Sequence, residues 1–130
     1  MKTLVVKSSL KEELIDITDR VTAVVRELPR KEGLCVVFCP HTTAGLTVYE
    51  CADSCVAVDI ATMLGKLVPQ QGTWLHEEGN SPAHVKASLM GSSVMIPVVD
   101  GTLMLGRWQG IFLCEFDGTR TREVWVQVYS

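Results

Sequence analysis

The sequence predicts a single α+β domain, mostly antiparallel sheet packed with about three helices in the order ββαββααβββ. Three observations carry this. A chain of 130 residues can hide about two-thirds of its unfolded surface, enough for one core. Hydrophobic residues make up 47% and charged residues 21%, which excludes a disordered chain. The C-terminal third is strand and turn, punctuated by Asp100-Gly101 and Asp117-Gly118, where alternating βα units of a parallel sheet would have helices.

Residues 2–9 alternate weakly and read as a strand, and Leu14-Ile15-Asp16-Ile17 as a second short one. Residues 19–28 place Val21, Val24, Val25 and Leu28 on one helical stripe, which Pro29 and Gly33 end. Residues 34–39 form a buried-type strand. After the interruption Pro40-His41-Thr42-Thr43-Ala44-Gly45, extended character resumes at Leu46-Thr47-Val48-Tyr49.

The strongest helix follows. Asp53 or Ser54 caps it, and Val56, Ile60, Met63, Leu64 and Leu67 form an apolar stripe to be buried. A polar loop over 70–80 leads to a short helix, with Ser81 at the N-cap, Pro82 at the first position and Gly91 at the stop. Val94 to Val98 then runs into the Asp100-Gly101 hairpin. Leu103 to Phe116 contains a long strand bent near Gly106 and Gly110, and Asp117-Gly118 makes a second tight turn. In the last strand Val124, Val126 and Val128 face one way and Glu123, Trp125, Gln127 and Tyr129 the other.

A net charge of −3 argues against a nucleic-acid partner, which calls for a basic surplus. No apolar run approaches the 18 residues of a membrane span, and Met1–Lys7 is too short for a signal peptide. A cytoplasmic location with no membrane partner is therefore expected. The five cysteines are Cys35, Cys39, Cys51, Cys55 and Cys114, an awkward number for a disulfide scaffold. Cys35 and Cys39 lie about 13 Å apart on a strand, too far for one zinc. Cys51 and Cys55 can meet on a helix face. The reading for all five is buried, reduced thiols.

The chemistry is expected around His41, His76 and His84. His41 follows a strand end, and the other two bracket a loop that carries Glu77, Glu78 and Asn80. Their spacing matches no short metal motif. Convergence on a divalent metal, zinc or magnesium, and service as proton carriers near neutral pH both stand open. Thr42 and Thr43 offer hydroxyls, the Ser81-Pro82-Ala83 helix start offers a dipole, and Arg120 and Arg122 share a strand face suited to phosphate. Glu115, flanked by apolar residues, should be paired or protonated if buried, with Arg120 or a histidine as expected partner. Trp108 and Gln109 add an aromatic face and an amide. Common nucleotide loops and a G-x-S-x-G elbow are missing from the sequence, and Cys39 could reach His41 only through a bend.

Several stretches together resemble the YjbQ family, often called secondary thiamine-phosphate synthase enzymes. They are His41-Thr42-Thr43-Ala44-Gly45-Leu46-Thr47, Glu50, Ala52-Asp53, Leu67-Val68-Pro69, His76, Glu78-Gly79-Asn80, Ala83-His84, Lys86-Ala87-Ser88-Leu89 and Gly91. The later stretches are Gly101, Leu105-Gly106, Trp108-Gln109-Gly110, Glu115, Asp117-Gly118 and Arg120. The resemblance implies a small α+β domain, commonly a homotrimer, with a pocket formed by the HTTA-like segment, His76, Asn80 and His84. His41, His76, His84 and Glu115 would be catalytic, the three histidines would also be metal ligands, and Thr42, Thr43, Asn80, Trp108, Gln109 and Arg120 would bind a phosphorylated small molecule. The implied reaction joins a pyrimidine diphosphate to a thiazole phosphate with release of pyrophosphate, as a weak side activity. The alternative is a non-catalytic trimeric module that binds metal or phosphometabolites. Tyr49 and Cys51 stand where the family usually has Asn, Ser54 where Pro is commoner, and Arg107 where Thr is.

Overall fold

The computed structural model describes residues 1–76 and 78–130; Glu77, named above in the polar loop, lies outside the described residues. Its elements are β1 (Lys2–Lys7), β2 (Glu13–Asp16), α1 (Thr18–Glu27), β3 (Gly33–Phe38), β4 (Ala44–Glu50), α2 (Ser54–Leu67), α3 (Ser81–Met90), β5 (Ser93–Val99), β6 (Thr102–Leu103), β7 (Gln109–Glu115) and β8 (Thr121–Tyr129). The α+β class and the antiparallel pairing agree with the sequence. One sheet has the order β1-β8-β3-β5-β6, and a second the order β2-β7-β4.

Between the sheets lies the main core. Val6, Val37, Ile96, Val124 and Val126 from the larger sheet meet Leu46, Ile111 and Leu113 from the smaller, with Val21, Val24 and Val25 of α1 closing one side. The opposite face of the smaller sheet presents Cys114 and Phe116 to Leu64 of α2 and Ala83 and Ala87 of α3. β7 is therefore covered on both faces, which is why its sequence is almost continuously apolar.

The α1 stripe is buried as its periodicity requires. The α2 stripe is not. Asp53 does cap this helix, its Oδ1 accepting from the Cys55 N–H at 2.9 Å, but Leu64 is the helix's buried residue, while Met63 is 53% and Leu67 67% exposed. Periodicity reports that a helix has an apolar face; it cannot say that this chain supplies the cover.

The start of α3 shifts by one residue. Asn80 occupies the cap position and Ser81 is already helical; the Asn80 amide makes no cap bond and donates instead to Asp117 Oδ2 at 2.9 Å. The expected long strand from Leu103 divides into β6 and β7. A turn in which Gln109 N–H donates to Gly106 O at 3.0 Å, and Gly106 N–H to Gln109 Oε1 at 2.7 Å, separates them. Asp100 and Gly101, with φ of 51° and 71°, make the expected hairpin turn.

Asp117-Gly118 does a different job from the one expected: it carries the chain from the smaller sheet into the larger. A side chain at Gly118 would lie 2.0 Å from Leu10 O, so the crossing admits no Cβ. No helix of the described residues is long and apolar enough to cross a membrane.

Candidate functional site

The site forms where three chain segments meet. The chain leaves β3 at Phe38 and crosses to the other sheet through Pro40–Thr43. The β7–β8 crossing brings Asp117 and Arg120 alongside, and the start of α3 brings Asn80 and His84. Together these line a polar cavity of about 330 Å³, whose wall includes His41, Thr42, Thr43, Asn80, His84, Arg120 and Arg122.

At its base lies an ion pair. Glu115 is fully buried and Arg122 is 4% exposed. Arg122 Nε donates to Glu115 Oε1 at 2.9 Å, and its Nη2 donates to the other carboxylate oxygen and to Thr43 Oγ1, the latter at 2.8 Å. Glu115 also accepts from Ser8 Oγ at 2.8 Å and Asp117 N–H at 3.1 Å. Burial opposes ionisation of Glu115, but these bonds outweigh it and hold its carboxyl below the usual range. The guanidinium is thus fixed along one edge. Among the described residues no partner takes Nη1, which leaves a cationic donor for the cavity.

Glu115 pairs with Arg122, where the sequence expectation had Arg120 or a histidine. Arg120 instead closes a second cluster: its Nη2 donates to Asp117 Oδ2 at 3.0 Å and its Nε to Asp117 O at 2.8 Å. Asp117 is partly desolvated, yet the bonds from Asn80 and Arg120 keep its carboxyl below the ordinary aspartate value.

His41 is held through one nitrogen. Its Nε2 accepts from the Glu123 N–H at 2.9 Å, so the ring is neutral with its proton on Nδ1. Burial and the neighbouring Arg122 both push its pKa down. His41 and His84 line the polar cavity, and both line an adjoining one of about 500 Å³ with Ser88 and Ser92. His76 meets His84 edge-on, ring centres 5.2 Å apart, and its Nε2 lies 3.7 Å from Glu78 Oε2. His84 is therefore the link: it shares a cavity with His41 on one side and touches His76 on the other.

Within one chain, His41 Nε2 is engaged by the Glu123 N–H, and among the described residues no three His, Cys, Asp or Glu side chains are placed to hold an ion.

Trp108 and Gln109 stand apart from the histidines. Gln109 pairs with Glu50 at one end of the β4–β7 ladder, and Glu115 with Ala44 at the other, a separation of roughly 20 Å at the usual strand rise. Trp108 is exposed with Arg107 4.7 Å over its ring.

Cys35, Cys39 and Cys114 are buried as expected, but Cys51 and Cys55 are exposed around the start of α2. Burial raises the thiol of Cys35 to about 11 and that of Cys114 to about 12. Cys39 donates to Ala44 O at 3.5 Å and is pushed up by burial as well, which disfavours the thiolate that a nucleophile beside His41 needs.

Arg122 entered the sequence reading only beside Arg120, as one of two arginines on a strand face suited to phosphate, and not as the partner of Glu115. It shares parity with Val124, Val126 and Val128, so strand alternation alone puts its side chain on the buried face, and Glu115 is the apolar-flanked acid that needs such a partner.

The family model described as "UPF0047 protein YjbQ-like" matches residues 2–130. The chain belongs to this family. A UPF0047 protein of Methanocaldococcus jannaschii is 46% identical over 123 residues, covering 95% of this chain and 89% of that protein. The YugU protein of Bacillus subtilis is 42% identical over 98% of both. Among solved structures, a YjbQ/UPF0047 protein from Clostridium acetobutylicum superposes with a TM-score of 0.96 at 49% identity, covering 99% of this chain and 100% of that one. A Sulfolobus solfataricus protein described as YbjQ-like and of unknown function gives 0.94 at 33% identity, covering 98% and 94%.

Proposed function

We propose that this YjbQ-family member binds the phosphate of a phosphorylated small molecule in the cavity between His41, His84 and Arg122. The observation that carries this reading is the buried Arg122 guanidinium, locked by Glu115 and Thr43 with one nitrogen left over. A desolvated, preorganised cation binds an anion without the cost of ordering a flexible side chain. Thr42 Oγ1 and the Nδ1–H of neutral His41 supply further donors. Arg120, more exposed, adds charge at the rim. Glu115 acts through Arg122 as a positioning residue and touches no ligand.

The reaction implied by the resemblance, condensation of a pyrimidine diphosphate with a thiazole phosphate, is compatible with such a site as a weak side activity. The departing pyrophosphate gains charge that Arg122 and Arg120 stabilise, and His84, within reach of both cavities and of His76, moves a proton. Trp108 and Gln109 are too far along β7 to share this work within one chain.

A homotrimer is part of the proposal. The outer face of the larger sheet exposes Leu34, Phe38, Met95 and Tyr129, with Trp125 stacked on Phe38 at 5.8 Å. This is far more apolar than a solvated antiparallel face needs to be. A monomer by light scattering at micromolar concentration contradicts that part.

Calorimetric titration with inorganic pyrophosphate, paired with an assay for thiamine phosphate, tests the site. Wild type is expected to bind. His84→Ala is expected to keep binding but lose turnover, and Thr43→Val to weaken binding several-fold. No pyrophosphate or phosphate binding by folded wild type overturns the reading. Binding without turnover in wild type favours the non-catalytic phosphometabolite module instead.

A further inference from the structure

Two serines follow β1, and the structure gives them different work. Ser9 is exposed and bonds to its near neighbour Glu13. Ser8 is 8% exposed and turns inward, reaching across 107 and 112 positions of the chain to Glu115 and Arg120. Its backbone N–H donates to Arg120 O at 2.9 Å. Its hydroxyl is engaged on both sides: Oγ donates to Glu115 Oε1 at 2.8 Å and accepts from the Arg120 N–H at 2.9 Å. Arg120 O also lies 3.2 Å from Oγ, but the single hydroxyl proton goes to the carboxylate, the nearer and charged acceptor.

Each bond leads to one arginine of the anion cavity. Glu115 Oε1, which takes the Ser8 proton, also accepts from Arg122 Nε at 2.9 Å. Ser8 therefore fixes the plane of the carboxylate that aims the guanidinium at the cavity base. On the other side, Ser8 pins the backbone from which the rim arginine extends, and that side chain turns back onto Asp117. Gly118 makes the approach possible, since a Cβ there would lie 2.9 Å from Ser8 Oγ.

We infer that Ser8 is a positioning residue of the anion site, aiming Arg122 through Glu115 and setting its spacing from Arg120 through the Arg120 backbone. Ser8 touches no ligand. This rests on the phosphate reading above and adds a residue from the N-terminal segment on which the geometry of that site depends. Donors that meet an anion must be held to within about 0.5 Å. A carboxylate that has lost one of its four donors is free to swing, and the guanidinium swings with it.

The test is calorimetric titration of the full chain with inorganic pyrophosphate, read beside the melting temperature. Ser8→Ala is expected to weaken binding about tenfold, the scale of one hydrogen bond to a charged group. Ser8→Thr keeps the hydroxyl and is expected to restore most of the affinity. Val6→Ala, which hollows the core on the same strand, is expected to lower the melting temperature and leave the affinity of the folded protein unchanged. Should Ser8→Ala fail to fold, Ser8→Cys, with a weaker donor and acceptor in the same place, is expected to show a smaller loss of affinity. Affinity equal to wild type in the folded Ser8 variants overturns the inference and leaves the phosphate reading standing. So does a loss that Val6→Ala reproduces, or one that folded Ser8→Thr fails to reverse. Failure of wild type to bind pyrophosphate removes the phosphate reading, and the inference with it.

Discussion

Arg122 and Glu115 form a two-point ion pair beneath the Pro40–Thr43 segment, joining the second residue of β8 to the last residue of β7. Each is buried, and each would be costly alone. The pair ties the two sheets together at the point where the cavity opens, so stability and anion binding depend on the same side chains.

Removing one partner leaves the other charged and buried. Glu115→Gln is expected to cost on the order of 3–5 kcal/mol, read as a large drop in the urea midpoint, and to weaken pyrophosphate binding as Arg122 loses its anchor. The double variant Glu115→Leu/Arg122→Met is expected to regain stability relative to Glu115→Gln while binding no anion. A double variant that still binds pyrophosphate would show that Arg122 is not the receptor.

The sign of the pH dependence follows from the depressed carboxyls. Glu115 and Asp117 lie below their ordinary values of 4.5 and 3.8, so the stability they confer is complete above those values. It is lost as pH falls through the lower, folded-state values. The carboxyls' share of the urea midpoint, followed downward from pH 7, is expected to hold until about pH 5 and then fall. In Glu115→Gln the fall should be shallower. An equally steep fall in that variant would assign the acid sensitivity elsewhere.

His41 is expected to titrate below its ordinary 6.5 and to carry its proton on Nδ1. Nitrogen-15 spectra of the imidazoles report both properties. For a histidine with a lowered pKa, the contribution to stability is present above the ordinary value and is lost as pH falls through the folded one. An Nε2–H tautomer at neutral pH would contradict the Glu123 bond.

Thiol reagents offer a check on burial. Two cysteines, Cys51 and Cys55, are expected to react in the folded protein, while Cys35, Cys39 and Cys114 stay silent until it unfolds. Rapid labelling of all five without denaturant would contradict the core described above.

Gly118→Ala places a methyl group 2.0 Å from Leu10 O and 2.9 Å from Ser8 Oγ, and the Leu10 backbone leaves little room to yield. A loss of several kcal/mol is expected, seen as a lower melting temperature or as insoluble protein. Wild-type stability in this variant would mean that the crossing is looser than its geometry.

Local chemistry by itself determined the α+β class, the α1 stripe, the Asp100-Gly101 turn, the Asp53 cap and the shared face of the β8 valines, because each depends on neighbours a few residues away. It also placed His41, Thr43, Asn80, His84 and Arg120 together as candidates. Only the tertiary structure decided that Glu115 answers Arg122, that Asn80 serves Asp117, that Met63 and Leu67 of the α2 stripe stay in solvent and that Trp108 and Gln109 stand a strand's length from the histidines. These are pairings between distant segments, set by which sheet each strand joins. A pattern of periodicity and turns records that a side chain must be buried or bonded, but not what lies on the other side.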